Sequence, residues 1–270
     1  MGIDSGTAHG RVPHLPPELE LAIFKLTARF YPEMIHTLIL VSKRVCTWIE
    51  PLLYKVVKDK RTRSESRVLR MMASKPPEYL QAHVRHLSLC NSFECRDLSR
   101  ILWTCTEIES LAILIVTVGT YPALLDHDMR HLMRLRHLSL DMMIFAGNDF
   151  QVPPVDSEQP PPNLTHLDIR SFGTPTLCPL FSMLSALTHL AFSDIYEPLL
   201  VQHALDTCPA LQVLVIVWIQ FDTWRLRIDQ MNSSDPRFCI VLREDGDVWD
   251  MEEIWRRAEA VVASKRLYGT

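Results

Sequence analysis

Four of the 11 histidines recur in one local setting. His86, His137, His166 and His189 each stand directly before a leucine, two residues after another apolar residue. Imidazole binds transition cations and titrates closer to neutrality than other side chains, so a repeated histidine suggests either metal binding or proton transfer. If the four phrases are strands, His137, His166 and His189 stack on successive strands about 4.8 Å apart. A metal centre needs further ligands, and no cysteine falls among them. The acidic residues at hand are Asp168, two positions after His166, and Asp141. The column therefore reads as a polar contact face: His86, His137, His166 and His189, with Asp141, Asp168 and Arg170, face a bound protein. No metal and no other cofactor is expected. His127 and His131, one turn apart, fall opposite Leu125, Met129 and Leu132 and read as the solvated side of a helix. No serine, histidine and aspartate are spaced as a nucleophile and its base, so the chain is read as a non-enzyme.

Composition supports a binding role. The 270 residues are 47% hydrophobic and 22% charged, with a net charge of −4, which argues against a general nucleic-acid binder. Only 8 glycines are present, and no phosphate-cradling glycine motif occurs. The cysteines number 7, an odd count without a C-x-x-C pair, as expected of free buried thiols in a reducing compartment. No apolar run reaches the roughly 20 residues of a membrane helix, and Met1 to Val12 has no apolar leader core. The expected location is the cytoplasm, the nucleus or both.

The elements that position the histidines are repeats. The apolar frame L-x-x-L-x-L recurs as Val84, Leu87 and Leu89, then Ile108, Leu111 and Ile113, then Leu135, Leu138 and Leu140. It continues as Leu164, Leu167 and Ile169, then Leu187, Leu190 and Phe192, then Leu211, Leu214 and Ile216. Central leucines are 23 to 29 residues apart, the range of leucine-rich repeats. The second and third apolar positions share one face of a strand, and the histidines lie on the other, concave face. About twenty residues between strands allow a crossover and parallel pairing. Helical spacing marks Leu98, Ile101, Leu102 and Cys105; Leu125, Met129, Leu132 and Met133; Leu177, Leu180, Phe181 and Leu184; and Leu200, Ala204, Leu205 and Cys208. Five prolines between Phe145 and Asn163 mark 146–163 as an insertion without helix. The asparagine that usually follows the strand is missing, so the resemblance over 84–219 is to irregular leucine-rich repeats.

Residues 13–57 read as three short helices, the first opened by Pro16, Pro17 and Glu18. Leu15, Pro16, Glu18, Leu19 and Ile23 match the opening L-P-x-E-L-x-x-x-I of an F-box. Leu40, Val41, Ser42 and Lys43 match its later L-V-[CS]-K, with Val45 where the pattern has an aromatic and Trp48 one turn on. Pro51, Leu52, Leu53 and Tyr54 match its closing P-L-L-Y. The order of parts resembles fungal F-box proteins with degenerate leucine-rich repeats. Asp235 to Phe238 and the Trp255, Ala258 and Glu259 pattern are similar to endings in that group. The resemblance implies a substrate-recognition adaptor of a Skp-cullin-F-box ubiquitin ligase. Leu15, Pro16, Glu18, Leu19, Ile23, Leu40, Val41, Pro51 and Leu52 would then dock the Skp adaptor, and the repeats would hold the target. The alternative is a repeat scaffold whose F-box-like segment only caps the solenoid.

The expected fold is α/β. A flexible segment 1–12 and the three-helix F-box-like segment 13–57 precede an irregular leucine-rich-repeat solenoid with a parallel sheet over 58–219. The basic run Lys55 to Arg70 reads as a solvated loop. The last repeat is apolar on both strand faces, through Val213, Val215 and Val217 as well as Leu214 and Ile216. Such a strand is covered on both sides. Residues 220–270 are therefore expected to supply a strand near Phe238 to Leu242 and a helix presenting Ile254, Ala258, Val261 and Val262 as a cap.

Overall fold

The computed structural model describes residues 15–59, 66–90, 93–114, 129, 131–141, 161–170, 178–193, 198–219, 234–243 and 251–268. The expected flexible segment 1–12 and all of the proline-rich insertion before Pro161 lie outside these residues. The chain divides into two units, Met1–Lys55 and Val56–Thr270. The division falls two residues earlier than expected, because Val56 already belongs to the sheet.

The N-terminal unit is helical. Helix α1 (Pro17–Phe30) starts with proline in its first turn beside Glu18 and Glu20, which suit the helix dipole, and it stops before Pro32. A turn of 3-10 helix at Pro32–Met34 leads into α2 (Ile35–Leu38). Next come α3 (Lys43–Ile49) and α4 (Leu52–Lys55). Ser42 caps α3 by accepting the Val45 N–H at 3.2 Å, an interaction of about 1 kcal/mol. Ala28, Leu38, Val45 and Ile49 form the core, with Phe24, Ile35, Ile39, Trp48 and Leu52 packed around it. Val45 is thus a core residue, and Trp48 contributes its aromatic bulk from one turn later. An ion pair between Arg44 and Glu20 ties α3 to α1.

The second unit is built on one open sheet of eight parallel strands lying in chain order among the described residues. They are β1 (Val56–Asp59), β2 (His86–Leu89), β3 (Ser110–Ile113), β4 (His137–Asp141), β5 (His166–Arg170), β6 (His189–Ser193), β7 (Val213–Ile219) and β8 (Phe238–Arg243). Helices α5 (Arg67–Ser74) and α6 (Pro77–His83) link β1 to β2, and α7 (Cys95–Thr104) links β2 to β3. Helix α8 (Cys178–Met183) links β5 to β6, and α9 (Pro198–Thr207) links β6 to β7.

One register runs through the sheet. Val57 pairs with Leu87, and the column continues through Leu111, Leu138, Leu167, Leu190, Leu214 and Phe238. The buried side chains of this face meet apolar side chains of the connections; in the neighbouring column of Ile169, Phe192 and Ile216, for example, Phe192 lies edge-on to Phe181 at 6.1 Å. At the entries to β3 through β7 a single carbonyl accepts two successive N–H groups of the next strand. Arg85 serves Glu109 and Ser110, Glu109 serves Arg136 and His137, and Arg136 serves Thr165 and His166. Thr165 then serves Thr188 and His189, and Thr188 serves Gln212 and Val213.

Two sequence expectations need correction. The run from Lys55 to Arg70 is not simply a loop, since it holds β1 and the start of α5. Val57 and Asp59 point inward, and the Asp59 carboxylate accepts the Ser66 hydroxyl (2.6 Å) and the Arg67 N–H (3.0 Å) at the entry to α5. His131 is not on a helix, because it lies in the turns that precede β4. It is half-buried, stacked on Trp103 at 4.1 Å with Nε2 3.1 Å from the Leu102 carbonyl. His127 lies outside the described residues.

The tail folds back as its composition requires. Asp235 forks onto Arg237 and accepts the Arg237 N–H, forming a turn that delivers β8 into parallel pairing with β7. Helix α10 (Met251–Tyr268) then lies on the sheet face opposite the leucine column. There Ile254, Trp255, Ala258 and Val262 pack with Val213, Val215, Val217, Ala191, Cys239 and Val241. Trp255 takes the place expected of Val261, which is exposed. The valines of β7 are therefore core. Ala258 is fully buried here, so Ala258→Glu should lower unfolding stability by roughly 3 kcal/mol. Ala260→Glu, two residues along on the exposed side, should change it by less than about 0.5 kcal/mol. Urea titration of the two variants measures the difference.

Candidate functional site

Two surfaces follow from this framework, one in each unit. In the N-terminal unit, Leu15 stands just ahead of α1, and Leu19, Ile23, Leu26 and Phe30 follow along one face of the helix. All five are half or more exposed. The turn between α2 and α3 adds Leu40, 81% exposed, and Val41. Fully covering a leucine or isoleucine yields about 1.5–3 kcal/mol, so each half-exposed side chain leaves a sizeable part of that unrealised. Apolar rows of this kind mark interaction sites. Of the residues expected to dock a partner, Leu15, Pro16, Glu18, Leu19, Ile23, Leu40 and Val41 are exposed, while Pro51 and Leu52 are half-buried. Leu26 and Phe30 extend the row. In the sequence Leu19, Ile23 and Leu26 recur at helical spacing, which by itself does not say whether that stripe faces outward.

In the sheet unit, register brings His137, His166 and His189 into one row. The His137 and His166 rings meet edge-on at 4.4 Å, and those of His166 and His189 stack at 4.1 Å, 7° from parallel. His86 belongs to the same column but is separated from His137 by Ser110. Thr165 and Thr188, which precede two of the histidines, place hydroxyls 2.9 Å and 2.8 Å from the respective Nδ1 atoms. Helix α10 closes over this end of the row. Trp255 lies edge-on to His166 and His189 at 5.4 Å and 5.6 Å. Glu259 Oε1 is 3.1 Å from His189 Nε2. A groove of about 720 Å³ runs between the sheet and α10, with His86, His137 and His166 on one side and Met251, Trp255 and Glu259 on the other.

Asp168 and Arg170, expected to face a bound protein, do not. Asp168 is 2% exposed and accepts three bonds: Ser139 Oγ at 2.5 Å, Arg170 Nε at 2.7 Å and Ser193 Oγ at 2.7 Å. These side chains form a closed polar knot under the sheet face, where a charge pair survives because its bonds are satisfied. His189 is also buried, by α10. The contact face that remains is His137, which is exposed, with His86, His166 and Asp141, which are half-buried. What the sequence reading missed is Glu259 and Trp255, from a helix about seventy residues downstream of His189. Their spacing of four already put them on one helical face, but nothing local linked that face to the histidines.

Burial dominates the electrostatics of the histidine row and of the thiols. Desolvation, then the neighbouring His189 and His137, hold the His166 imidazole down to about 3. Desolvation also lowers His137 and His189, with Glu259 opposing the shift at His189. Burial pushes the Cys105 and Cys239 thiols up to about 12 and Cys208 up to about 11, the reverse of an activated nucleophile. No protein-family model matches this chain, and no curated protein matches it.

The His166 shift sets a pH dependence. The unfolded chain takes up a proton there below about 6.5, whereas the folded chain does not until about 3. Stability from this group is thus complete above about pH 6.5 and is lost progressively as pH falls toward 3. The groups facing it are His137 and His189 on the sheet and Trp255 and Glu259 on α10. Melting temperature followed from pH 7 to pH 5 should fall, and His166→Asn should flatten that slope.

Proposed function

We propose that this chain is a substrate-recognition adaptor of a Skp-cullin-F-box ubiquitin ligase and performs no chemistry itself. The supporting observation is the row Leu15, Leu19, Ile23, Leu26 and Phe30 with Leu40 and Val41, which stays exposed while other apolar side chains of the same helices make the core. Several of these exposed positions are ones where the sequence resembles an F-box. That division between surface and core favours docking over a purely internal, cap-like role. The sheet unit supports the second half of the reading. Its strand-and-connection units, joined by one leucine column, are what irregular leucine-rich repeats would produce. The groove beside the histidine row is then the surface for the target protein, with the Asp168 knot as its rigid support. A cytoplasmic or nuclear place fits this role, and no helix among the described residues is long and apolar enough to cross a membrane.

Titrating purified Skp adaptor into the full chain tests the proposal. A one-to-one complex is expected. Leu19→Asp and Leu40→Asp should each weaken it by about thirtyfold, the scale of an interface hot spot. Leu40→Asp should leave the melting temperature unchanged, because that side chain is 81% exposed, and Leu19→Asp, at a half-exposed position, should lower it only slightly. Failure of the unaltered chain to bind the adaptor would overturn the reading.

A further inference from the structure

We propose that His166, His189 and Glu259 form a binding site for a divalent first-row transition cation that clasps α10 to the sheet. The three side chains come from β5, β6 and α10, and their ligand atoms lie within 4.8 Å of one another. Two imidazoles and a carboxylate are a donor set that suits zinc, iron and cobalt and leaves a coordination position open.

The surroundings of the imidazoles point the same way. The Thr165 hydroxyl is 3.2 Å from the Arg136 carbonyl, and the Thr188 hydroxyl is 3.1 Å from the Thr165 carbonyl. A hydroxyl has one proton, and the carbonyl can only accept. With that proton donated to the carbonyl, each threonine oxygen receives Nδ1–H from its histidine, and Nε2 is left with a bare lone pair. Metal-binding histidines are oriented by this kind of partner on the far nitrogen. His189 Nε2 and Glu259 Oε1, 3.1 Å apart, are then two acceptors face to face, and a cation between them removes the conflict. His166 Nε2 has no hydrogen-bond partner among the described residues, although the ring is half-buried.

Access and fit are adequate. His166 and Glu259 line the groove, which gives the ion an entry path and space for a water or a target side chain in the open position. Bond lengths of about 2.0–2.2 Å bring tetrahedral ligand atoms to roughly 3.5 Å apart. Glu259 and His189 are already 3.1 Å apart, so the closure of about an ångström falls on the distances to His166. Because the two rings stack within 7° of parallel, their Nε2 lone pairs run side by side, and shared binding requires one imidazole to tilt out of the stack beside Trp255.

The test uses the full chain after chelator treatment. Co2+ titration followed by visible absorption, and Zn2+ titration by calorimetry and thermal melting, should show one ion bound and a raised melting temperature. Glu259→Gln alters an exposed side chain and should fold normally; it and His166→Asn should each weaken binding roughly tenfold or more and remove the thermal gain. Thr188→Val should weaken Zn2+ binding by about tenfold through loss of its hold on His189. His86→Asn, on the same sheet face, should bind as the unaltered chain does. No binding by the unaltered chain overturns the proposal. So does binding that Glu259→Gln and His166→Asn leave unchanged, because the ion is then held elsewhere.

Discussion

Side chains alternate along a strand with a period of two, and in this sheet every parallel pairing keeps the same register. Almost everything else in the second unit depends on that condition. The leucine column on one face forces a second set of columns on the other. One contains His86, Ser110, His137, His166, His189 and Val213. The next contains Ser88, Ala112, Ser139, Asp168, Ala191, Val215 and Cys239. A slip of one residue in any pairing would exchange the two faces, exposing leucine and burying histidine. The apolar ladder is therefore what makes a histidine ladder possible.

Those second-face columns change character along the sheet. They are polar or small from β2 to β5 and become valine and cysteine at β7 and β8. Helix α10 covers the apolar end and stops against the histidines, so a single helix is both a lid on core valines and one wall of a groove. The Asp168 knot sits at the transition. Ser139 and Ser193 come from the strands on either side of β5, and their bonds to one carboxylate tie three strands together beneath the groove. Lys265 and Arg266, near the end of α10, add bonds to the Phe238 and Gln212 carbonyls.

Much of this was legible in the sequence, because the strands carry their own period. The six apolar phrases, the histidine row, the helical connections before β3, β6 and β7, and the need to cover Val213, Val215 and Val217 all follow from residue spacing. What was hidden depends on contacts between distant residues or on sequences with two readings. Val56 to Asp59 is short and flanked by basic residues, so it looked like loop, and only pairing with β2 makes it a strand. His131 looked helical by its one-turn spacing from His127, yet Trp103 and the Leu102 carbonyl hold it in a turn. Asp168 looked like a surface charge because its partners Ser139 and Ser193 lie on other strands, and Arg170, which bonds to it, looked the same. In the N-terminal unit, spacing revealed an apolar stripe on α1 but could not say which apolar residues face outward. That is decided by Ala28, Leu38, Val45 and Ile49 filling the core first.

The doubled hydrogen bonds at the strand entries have a consequence for how this sheet can vary. Each of these strands is hung from the carbonyl of the one before it, at Arg85, Glu109, Arg136, Thr165 and Thr188. The starting line of β3 through β7 is thus set locally, independently of how many residues separate each from its neighbour. Repeat length and sheet pitch are uncoupled, and units of 23 to 29 residues stack at one spacing. Insertions can accumulate where a strand ends without disturbing where the next begins. A framework of that kind lets the rim change in length and composition while the backbone beneath it stays constant.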